Sequence, residues 1–370
     1  MGIKIGLVGG GTGGHFYPLI AIAEELQTLA PEATLLYFGP EPYNQADLTA
    51  CNMQYVKVPA GKRRKYRSIL NYVDIFRTLW GAKIAVWKLF WYYPDVIVSK
   101  GGYTSVPVVL AAAFLRIPVV IHESDAVPGK ANLLVQKVAR YIAISYDGAA
   151  KYFPKAKTAL IGIPIRRSFF ASQPNPHDIL GIPADKPVIF VTGGSLGAAR
   201  INTLILDSLD ELLPHYTLVH QVGTDNVTSV QETALARNLP TTLMERYFIM
   251  GHLTGPQMAA AQSAAALIIS RAGSTSIFEA ALKGKPTILI PIPEDISHDQ
   301  RTNAYSYAQS GGGSVIEEHN LTDGLLTAEI TRIMTDQAVY DTMTRAARAF
   351  TTPNAAVRLA TIVRDIAREH

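Results

Sequence analysis

The sequence has few cysteines, no long apolar run and no signal-peptide pattern. Its single cysteine, Cys51, cannot form an internal disulfide, which favours a reducing compartment and a buried thiol. The longest apolar run, residues 106–115, has ten residues, whereas a membrane-spanning helix needs about 20. The first residues enter a strand pattern directly, without the apolar region of a signal peptide. We therefore expect a cytoplasmic protein that is at most peripheral to a membrane.

Charged residues are also scarce, at 17%, and they are unevenly distributed. The segment 61–93 carries eight basic residues and one acidic residue, so its charge is +7. Because the whole chain carries +4, the remainder sums to −3. A nucleic-acid-binding protein usually presents a broad basic face or a recognised motif, and neither is present. We expect no nucleic-acid partner, and the hydrophobic content of 48% predicts a folded globular chain.

Short β-branched runs alternate with helix-length segments in both halves of the chain. The predicted strands are Ile3–Val8, Thr34–Phe38, Tyr55–Val58, Asp95–Ser99, Pro118–His122, Tyr141–Ser145, Val188–Thr192, Thr217–Gln221, Arg246–Met250, Leu267–Ser270, Thr287–Pro291 and Ser314–Glu317. Apolar strands separated by helices are typical of parallel sheets covered on both faces. The pattern restarts near residue 187, so we predict an α/β protein with two Rossmann-like, doubly wound domains facing a cleft. The predicted domains are 1–163 and 164–349, followed by a closing helix at 350–370.

A glycine-rich loop, Gly9 to His15, follows the first strand and opens a helix. It satisfies the G-x-G-x-x-G spacing, in which glycines let backbone N–H groups approach a phosphate at a helix N-terminus. A nicotinamide site also expects an acid after the second strand, and Glu41 fits that position poorly. His15 has two interpretations: a base that takes a proton from an incoming hydroxyl, or a residue that orients the loop. The sequence leaves both open.

Two further turn segments lie in the second half. A second glycine loop, residues 193–198, suggests a second phosphate-bearing ligand, although a structural turn would also explain it. The most specific segment is 270–279, where Ser274 or Thr275 caps the helix that follows. Its N–H groups would hold a pyrophosphate. Glu279 would bind the ribose hydroxyls, or it would serve only as an acid near the helix N-terminus.

A polar segment, residues 297–304, is suited to binding sugar hydroxyls. Its His298 and Asp299 look like a metal pair, but residues 297–304 contain no third His, Cys, Asp or Glu. The Asp-x-Asp motif, through which many sugar-nucleotide sites hold a metal, is absent. We therefore expect no metal and no cofactor.

The basic segment contains all three tryptophans of the chain on one periodic apolar stripe. These are Trp80, Trp87 and Trp91. One interpretation is a helix that packs the stripe against a sheet, which we expect for part of it. The other is an interfacial helix, because aromatic residues beside the basic cluster Lys62, Arg63 and Arg64 suit an anionic membrane surface. We favour interfacial binding.

Several segments together resemble glycosyltransferase family 28, in particular its peptidoglycan-forming N-acetylglucosaminyltransferases. The segments are GGGTGGHFYPLIAIAEEL, SKGGYTSVPVVLAA, IHESDAVPGKAN, IGIPIRRSFF, VTGGSLGA, SRAGSTSIFEAALKGKPTILIPIP and HDQRTNA. The resemblance implies the GT-B fold, with the closing helix returned to the first domain. It implies UDP-N-acetylglucosamine as donor and undecaprenyl-diphosphate-linked N-acetylmuramyl pentapeptide as acceptor. The implied reaction is inverting transfer at the cytoplasmic face of the membrane, which yields the lipid-linked disaccharide for cell-wall growth and division.

The resemblance also implies roles for individual residues. His15 would activate the acceptor hydroxyl, and Tyr103 would lie on the acceptor side. Near the transferred sugar and the acceptor diphosphate would lie Thr12, Gly13 and Gly14. The donor would be bound by Arg166 and Ser195 at the phosphates, Leu253 at the uracil, Ser274, Thr275, Ser276, Ile277, Phe278 and Glu279 at the turn and ribose, and Gln300 at the sugar.

The sequence departs from the family pattern at three positions. Asp125 replaces the usual asparagine of H-E-x-N, Leu196 replaces a usual glutamine and Ile163 a usual asparagine. Asp125 would place a negative charge beside the substrate at the reacting centre. Our hypothesis is that Asp125 either assists His15 as the base or is itself the base.

Four alternatives remain open. A related family 28 transferase would use another lipid or a small molecule as acceptor. A UDP-N-acetylglucosamine 2-epimerase shares the two-domain architecture but needs no membrane surface, so the basic aromatic segment disfavours it. A nicotinamide dehydrogenase leaves the second glycine loop unexplained. A non-catalytic sugar-nucleotide binder leaves His15 unexplained.

Overall fold

The computed structural model describes residues 2–61, 70–171, 175–194, 197–294 and 298–370. Contacts between residues divide the chain into two compact units, and each is described by itself. The first unit comprises Met1–Arg167 and Thr352–His370, and the second comprises Ser168–Thr351. Across the described ranges, no helix is both long enough and apolar enough to cross a membrane.

Each unit is built on one parallel β-sheet. The strands are β1 (Lys4–Val8), β2 (Thr34–Gly39), β3 (Gln54–Lys57), β4 (Val96–Ser99), β5 (Val119–Glu123), β6 (Tyr141–Ile144), β7 (Thr158–Leu160), β8 (Val188–Thr192), β9 (Thr217–Gln221), β10 (Tyr247–Met250), β11 (Ala265–Ser270), β12 (Thr287–Leu289) and β13 (Gly313–Val315). The first sheet has the order β3-β2-β1-β4-β5-β6-β7, and the second has the order β10-β9-β8-β11-β12-β13. The central strands β4 and β5 are buried along their whole length, which explains why their first three residues, 96–98 and 119–121, are all apolar rather than alternating with polar residues.

Helices cover both sheets. They are α1 (Gly13–Leu29), α2 (Gln45–Ala50), α3 (Leu70–Tyr92), α4 (Ser105–Phe114), α5 (Lys130–Val135), α6 (Pro176–Leu180), α7 (Ala199–Asp207), α8 (Leu209–Leu212), α9 (Val227–Ala236), α10 (Thr241–Met244), α11 (Gly255–Ala264), α12 (Ser274–Leu282), α13 (His298–Gln309), α14 (Asp323–Thr335), α15 (Gln337–Phe350) and α16 (Ala355–Glu369). Most connect one parallel strand to the next, as a doubly wound sheet requires.

The first sheet has a buried apolar cluster on each face. Successive residues of β1 point to opposite faces, so Leu7 joins one cluster and Val8 the other. On the Leu7 face, α16 packs along α1 and buries Leu359 and Val363. On the Val8 face, α3 packs on α4 and buries Leu89.

The second sheet is covered in the same way. Ile189 of β8 belongs to a cluster that includes residues of α7 and α14, such as Ile205 and Ile330. Phe190, the next residue, belongs to a second cluster with residues of α11 such as Ala260. The alternation along β8 therefore places one apolar layer on each face.

The structure confirms the predicted fold class of two doubly wound parallel-sheet domains. Every predicted strand is present, with small differences at the ends. One strand, β7, was not predicted, because this three-residue edge strand is only partly buried and follows a lysine-rich stretch. Cys51 is buried as predicted, and burial raises the pKa of its thiol to about 12.

Candidate active site

In both sheets the strand order changes direction at the first strand of the unit, so that later strands are added on both of its sides. In the first sheet β1 lies between β2 and β4, and in the second β8 lies between β9 and β11. Loops that follow such neighbouring strands diverge at the carboxyl edge of the sheet, which is where doubly wound folds bind ligands. The glycine-rich segments of the sequence follow β1, β4, β8 and β11, so they lie at these two edges.

In the first unit, the loop after β1 meets the loop after β4. Gly11 has a φ of +93°, and a Cβ atom there would lie 3.2 Å from the Tyr103 ring. Gly102 has a φ of +79°, and a Cβ atom there would lie 3.6 Å from Nε2 of His15. The positive φ favours glycine at both positions, and at Gly11 a side chain would also crowd the Tyr103 ring. The structure therefore brings Tyr103 and His15 to the same edge.

His15 lies in the first turn of α1, and Thr12 fixes its ring. Thr12 Oγ1 and His15 Nδ1 are hydrogen-bonded at 2.9 Å. With the proton on Nδ1, the other ring nitrogen, Nε2, carries a lone pair. Burial, and then the positive charge of Lys100, lowers the pKa of His15 to about 4, whereas Asp125 acts in the opposite direction. The imidazole is therefore neutral at pH 7.

Asp125 follows β5 in a turn that is organised by Glu123. Glu123 Oε1 accepts a hydrogen bond from the N–H of Asp125 at 3.0 Å. Its Oε2 accepts from the N–H of Gly129 at 3.0 Å and from Nδ2 of Asn132 at 2.9 Å. Burial, followed by the Asp125 carboxylate, raises the pKa of Glu123 to about 7. Asp125 also acts electrostatically on His15, whose pKa it raises.

Lys100 and Glu123 were not selected from the sequence, although both stand at the carboxyl edge of the first sheet. Lys100 directly follows β4, is 2% exposed and donates a hydrogen bond to Ser124 Oγ. A charged residue directly after a buried strand and directly before two glycines is the signal that could have identified Lys100. Glu123 ends β5, and a carboxylate inside an apolar strand is a similar signal.

Arg166 belongs to the first unit, whereas the predicted boundary assigns it to the second domain. Its guanidinium lies 4.0 Å from the centroid of the Tyr17 ring, in a cation–π contact. Tyr17 is on α1, and a Cβ atom at Gly13 would lie 3.1 Å from its ring. Arg166 is therefore close to the first turn of α1.

In the second unit, the loop after β8 is anchored at its first residues. The N–H of Gly194 donates to Thr192 Oγ1 at 3.1 Å, and that hydroxyl donates to Gln221 Oε1 at 2.8 Å. These bonds tie the loop to the neighbouring strand β9. The predicted donor residue Ser195, with Leu196, lies outside the described residues.

The turn after β11 leads into α12, whose first turn is Ser274, Thr275 and Ser276. A helix N-terminus presents backbone N–H groups and a partial positive charge, which favour a bound anion. The next two predicted residues, Ile277 and Phe278, are buried, and the Phe278 ring packs 5.0 Å from that of Phe350. Their side chains therefore serve the core of the unit.

Glu279 is buried one turn into α12 and is held by Gln262. Nε2 of Gln262, on α11, donates to Oε2 of Glu279 at 3.3 Å. Sequence reasoning missed Gln262, because a glutamine within an alanine-rich helix gives no local signal.

Two other residues that were predicted to bind the sugar-nucleotide donor lie outside the segment 270–279. Leu253 is buried in the apolar cluster that contains Phe190 and Ala260, so the protein itself encloses its side chain. Gln300 lies in the first turn of α13, where its Oε1 accepts a hydrogen bond from the N–H of Ile292 at 3.3 Å.

The aromatic stripe of α3 does not pack against the sheet through its tryptophans. The helix buries Ala85 and Leu89 instead, and the three tryptophans are 60% to 68% exposed. The predicted basic cluster of Lys62, Arg63 and Arg64 lies outside the described residues. In the part of the chain that the structure describes, no three His, Cys, Asp or Glu side chains form a potential metal-binding group.

Comparison with known proteins identifies the family. The chain matches the model of the glycosyltransferase family 28 N-terminal domain over residues 5–144 and that of the glycosyltransferase family 28 C-terminal domain over residues 188–359. The chain belongs to glycosyltransferase family 28. The two family 28 models match segments that contain the first glycine loop and the α12 turn, respectively.

Two family 28 relatives illustrate the similarity. The protein from Treponema denticola is 35% identical over 83% of this chain and 82% of its own length. The protein from Halalkalibacterium halodurans is 34% identical over 99% of this chain and 100% of its own. Both are named UDP-N-acetylglucosamine–N-acetylmuramyl-(pentapeptide) pyrophosphoryl-undecaprenol N-acetylglucosamine transferase.

Solved structures give the same fold. MurG of Acinetobacter baumannii has a TM-score of 0.74 at 24% identity, covering 99% of this chain and 100% of that one. A putative UDP-N-acetylglucosamine 2-epimerase from Listeria monocytogenes has a TM-score of 0.72 at 15% identity, covering 100% and 98%. At these identities the likeness shows the fold alone, which family 28 shares with the epimerase.

Proposed function

We propose that this chain transfers N-acetylglucosamine from UDP-N-acetylglucosamine to undecaprenyl-diphosphate-linked N-acetylmuramyl pentapeptide. The observation that carries the proposal is 34% identity, over 99% of this chain, to a relative that is named for this transfer. The product is the lipid-linked disaccharide used to build peptidoglycan.

Donor binding is assigned to the second unit. The N-terminus of α12 at Ser274–Ser276 receives the pyrophosphate of UDP, because helix N-termini attract phosphate. Glu279 accepts hydrogen bonds from the ribose hydroxyls. Gln300 contacts the sugar, and Ser195 contacts the donor phosphates. Arg166, a residue of the first unit, is also assigned to these phosphates.

The chemical step is a direct displacement at the anomeric carbon. The acceptor hydroxyl oxygen forms a bond to the anomeric carbon while the bond between that carbon and the UDP phosphate oxygen breaks. UDP leaves with the electron pair of the broken bond. The low pKa keeps His15 neutral at pH 7. In the tautomer that carries its proton on Nδ1, toward Thr12, the hydroxyl proton passes to the lone pair of Nε2. The negative charge on UDP is stabilised by the N-terminus of α12. Attack from the opposite face inverts the anomeric configuration.

Asp125 assists His15 in this scheme. Its negative charge raises the pKa of His15 against the effects of burial and Lys100, which makes the imidazole a stronger base. An assisting role is therefore better supported than the role of Asp125 as the base itself. Replacing Asp125 by asparagine is expected to lower kcat without abolishing it.

We also propose that the first unit binds the anionic surface of the membrane at its cytoplasmic face. Exposed tryptophans on α3 support this, and Phe114, on the adjacent helix α4, is 75% exposed. Lys83 Nζ lies 5.8 Å from the Trp80 ring, and Lys88 Nζ lies 5.7 Å from the Trp87 ring. Aromatic rings with adjacent lysines suit the boundary between lipid headgroups and acyl chains.

The direct test measures UDP release from UDP-N-acetylglucosamine with and without a short-chain analogue of the lipid-linked acceptor. Parallel reactions with added Mg²⁺ and with EDTA report any dependence on a metal. We expect release to require the acceptor. Release that is independent of the acceptor, or that occurs only with a different acceptor class, would contradict the proposal.

A further inference from the structure

Lys100 lies behind the first glycine loop with its side chain enclosed. Its N–H donates to the carbonyl of Val8 at 2.9 Å, which fixes the residue between β1 and β5. A Cβ atom at Gly9 would lie 2.8 Å from the Cβ of Lys100, so the glycine loop rests directly on the lysine. Lysine is rarely buried to this degree unless its charge is paired. Its partners therefore indicate what it does.

The partners of the Lys100 ammonium lie on one turn, residues 123–125. The ammonium donates to Ser124 Oγ, and the carboxylates of Glu123 and Asp125 favour its charged form against the effect of burial, which lowers the pKa of Lys100. Glu123 in turn holds the N–H of Asp125. The buried Lys100 ammonium is thus hydrogen-bonded to the turn that carries Asp125, and the acidic residues on either side of Ser124 favour its charge.

We propose that Lys100 is a positioning residue for the transfer reaction: its buried ammonium holds the 123–125 turn in place and balances the charge that Asp125 brings next to His15. The proposal rests on the proposed function for the identity of the reaction. The arrangement of charges that it describes does not depend on which substrate is used.

The charged and titratable groups in this region act on His15 with opposite signs. Lys100 lowers the pKa of His15 and Asp125 raises it. Lys100 also faces Glu123 and lies near His122, whose pKa it lowers and whose Nε2 is 2.9 Å from the carbonyl oxygen of Gly162. Removing the lysine charge should therefore raise the pKa of His15. Removing the Asp125 charge should lower it.

The first experiment titrates His15 by NMR in the full-length protein labelled with ¹⁵N-histidine, with His15→Gln used to assign the signal. In Lys100→Met we expect the pKa of His15 to rise by about one unit, and in Asp125→Asn we expect His15 to stay neutral to lower pH. The double variant should titrate between them. Lys151→Met, which removes an exposed lysine of the same unit, should titrate like the wild type. Unchanged titration in folded Lys100→Met would overturn the proposal.

The second experiment measures turnover. Folded Lys100→Met should lower kcat by about tenfold, because the 123–125 turn loses its hydrogen bond to the ammonium and shifts, even though His15 becomes more basic. Adding Asp125→Asn should return the pKa of His15 toward the wild-type value without restoring kcat. Ser124→Ala removes the hydrogen bond without changing charge, and it should lower kcat while the pKa of His15 stays within about 0.3 unit. If Lys100→Met does not fold, Ser124→Ala and Asp125→Asn are used to test the proposal instead. A wild-type kcat in Ser124→Ala would overturn it. An inactive wild type would contradict the proposed function, whereas the NMR titration would still test Lys100.

Discussion

At the scale of single residues, His15 depends on neighbours from three separate loops. Thr12 is hydrogen-bonded to Nδ1. Burial, and then Lys100, lowers the pKa of the ring, and Asp125 raises it. We predict that His15→Ala lowers kcat by about 100-fold or more, since a general base contributes at least this factor. Calorimetry should show unchanged binding of UDP-N-acetylglucosamine. Loss of donor binding together with turnover would contradict the assignment of His15 to the chemical step.

Replacing Gln262 should change the KM of the donor alone. Gln262→Leu removes the hydrogen bond to Glu279, so the donor KM should rise by about tenfold, as expected for a hydrogen bond to a charged group. The acceptor KM should not change. Gln231→Leu, on the exposed side of α9, is the matched control. A donor KM equal to that of the wild type would show that Gln262 does not position Glu279.

The two kinds of site residue differ in how far the sequence can predict them. His15 and the Ser274–Glu279 segment could be selected as candidates from the sequence, because each stands at the start of a helix behind a glycine turn that follows an apolar strand. Gln262 has no such signal, and the position of Lys100 could mark it as a candidate but could not reveal its role, because the hydrogen-bond partners of Lys100 and Gln262 lie 24 and 17 positions away in the chain. Only the folded sheet brings such residues together, and only folding buries them.

At the scale of elements, α3 and α4 form the proposed membrane surface. Replacing Trp87 and Phe114 together by serine should abolish sedimentation with vesicles that contain anionic lipid, because both side chains supply exposed apolar area. Turnover with a soluble acceptor analogue should be retained. Leu235→Ser, at a site 69% exposed on α9 of the second unit, is the control and should bind vesicles normally. Vesicle binding by the double variant at the wild-type level would contradict this surface.

The elements themselves were largely predictable from the sequence. Buried parallel strands are apolar along their length, so their positions are visible in the residue pattern. The exception, β7, is a short, partly exposed edge strand and carries no such signal. The exposed side of α3 was harder to predict, because apolar residues occur all round this helix. Which of them are buried, here Ala85 and Leu89, depends on how the helix packs in the folded unit.

At the scale of the whole molecule, the first unit is completed by the last helix of the chain. Leu359→Ala should lower the free energy of unfolding of the first unit by about 3 kcal/mol, because α16 buries this side chain against α1. Calorimetry should show a lower midpoint for the first unit and an unchanged one for the second. Val357→Ala, at an exposed position on α16, should have little effect. Equal shifts of both transitions would contradict the assignment of α16.

The restart of the strand pattern near residue 187 predicted two units, but it could not assign α16. An amphipathic helix with this spacing packs equally well on either parallel sheet, so its own residues do not identify its partner. The substrates are likewise not determined by the fold, since an epimerase has nearly the same one. They are inferred from similarity to named relatives and from the residues of the two loops.

The most direct measurement isolates the product formed from labelled UDP-N-acetylglucosamine and the lipid-linked acceptor analogue, and determines where the label resides. We predict that the label is found in a β-linked disaccharide on the lipid carrier, with one UDP released for each disaccharide. Label that remains in a UDP-sugar, with N-acetylglucosamine converted to its 2-epimer, would contradict the account and identify an epimerase.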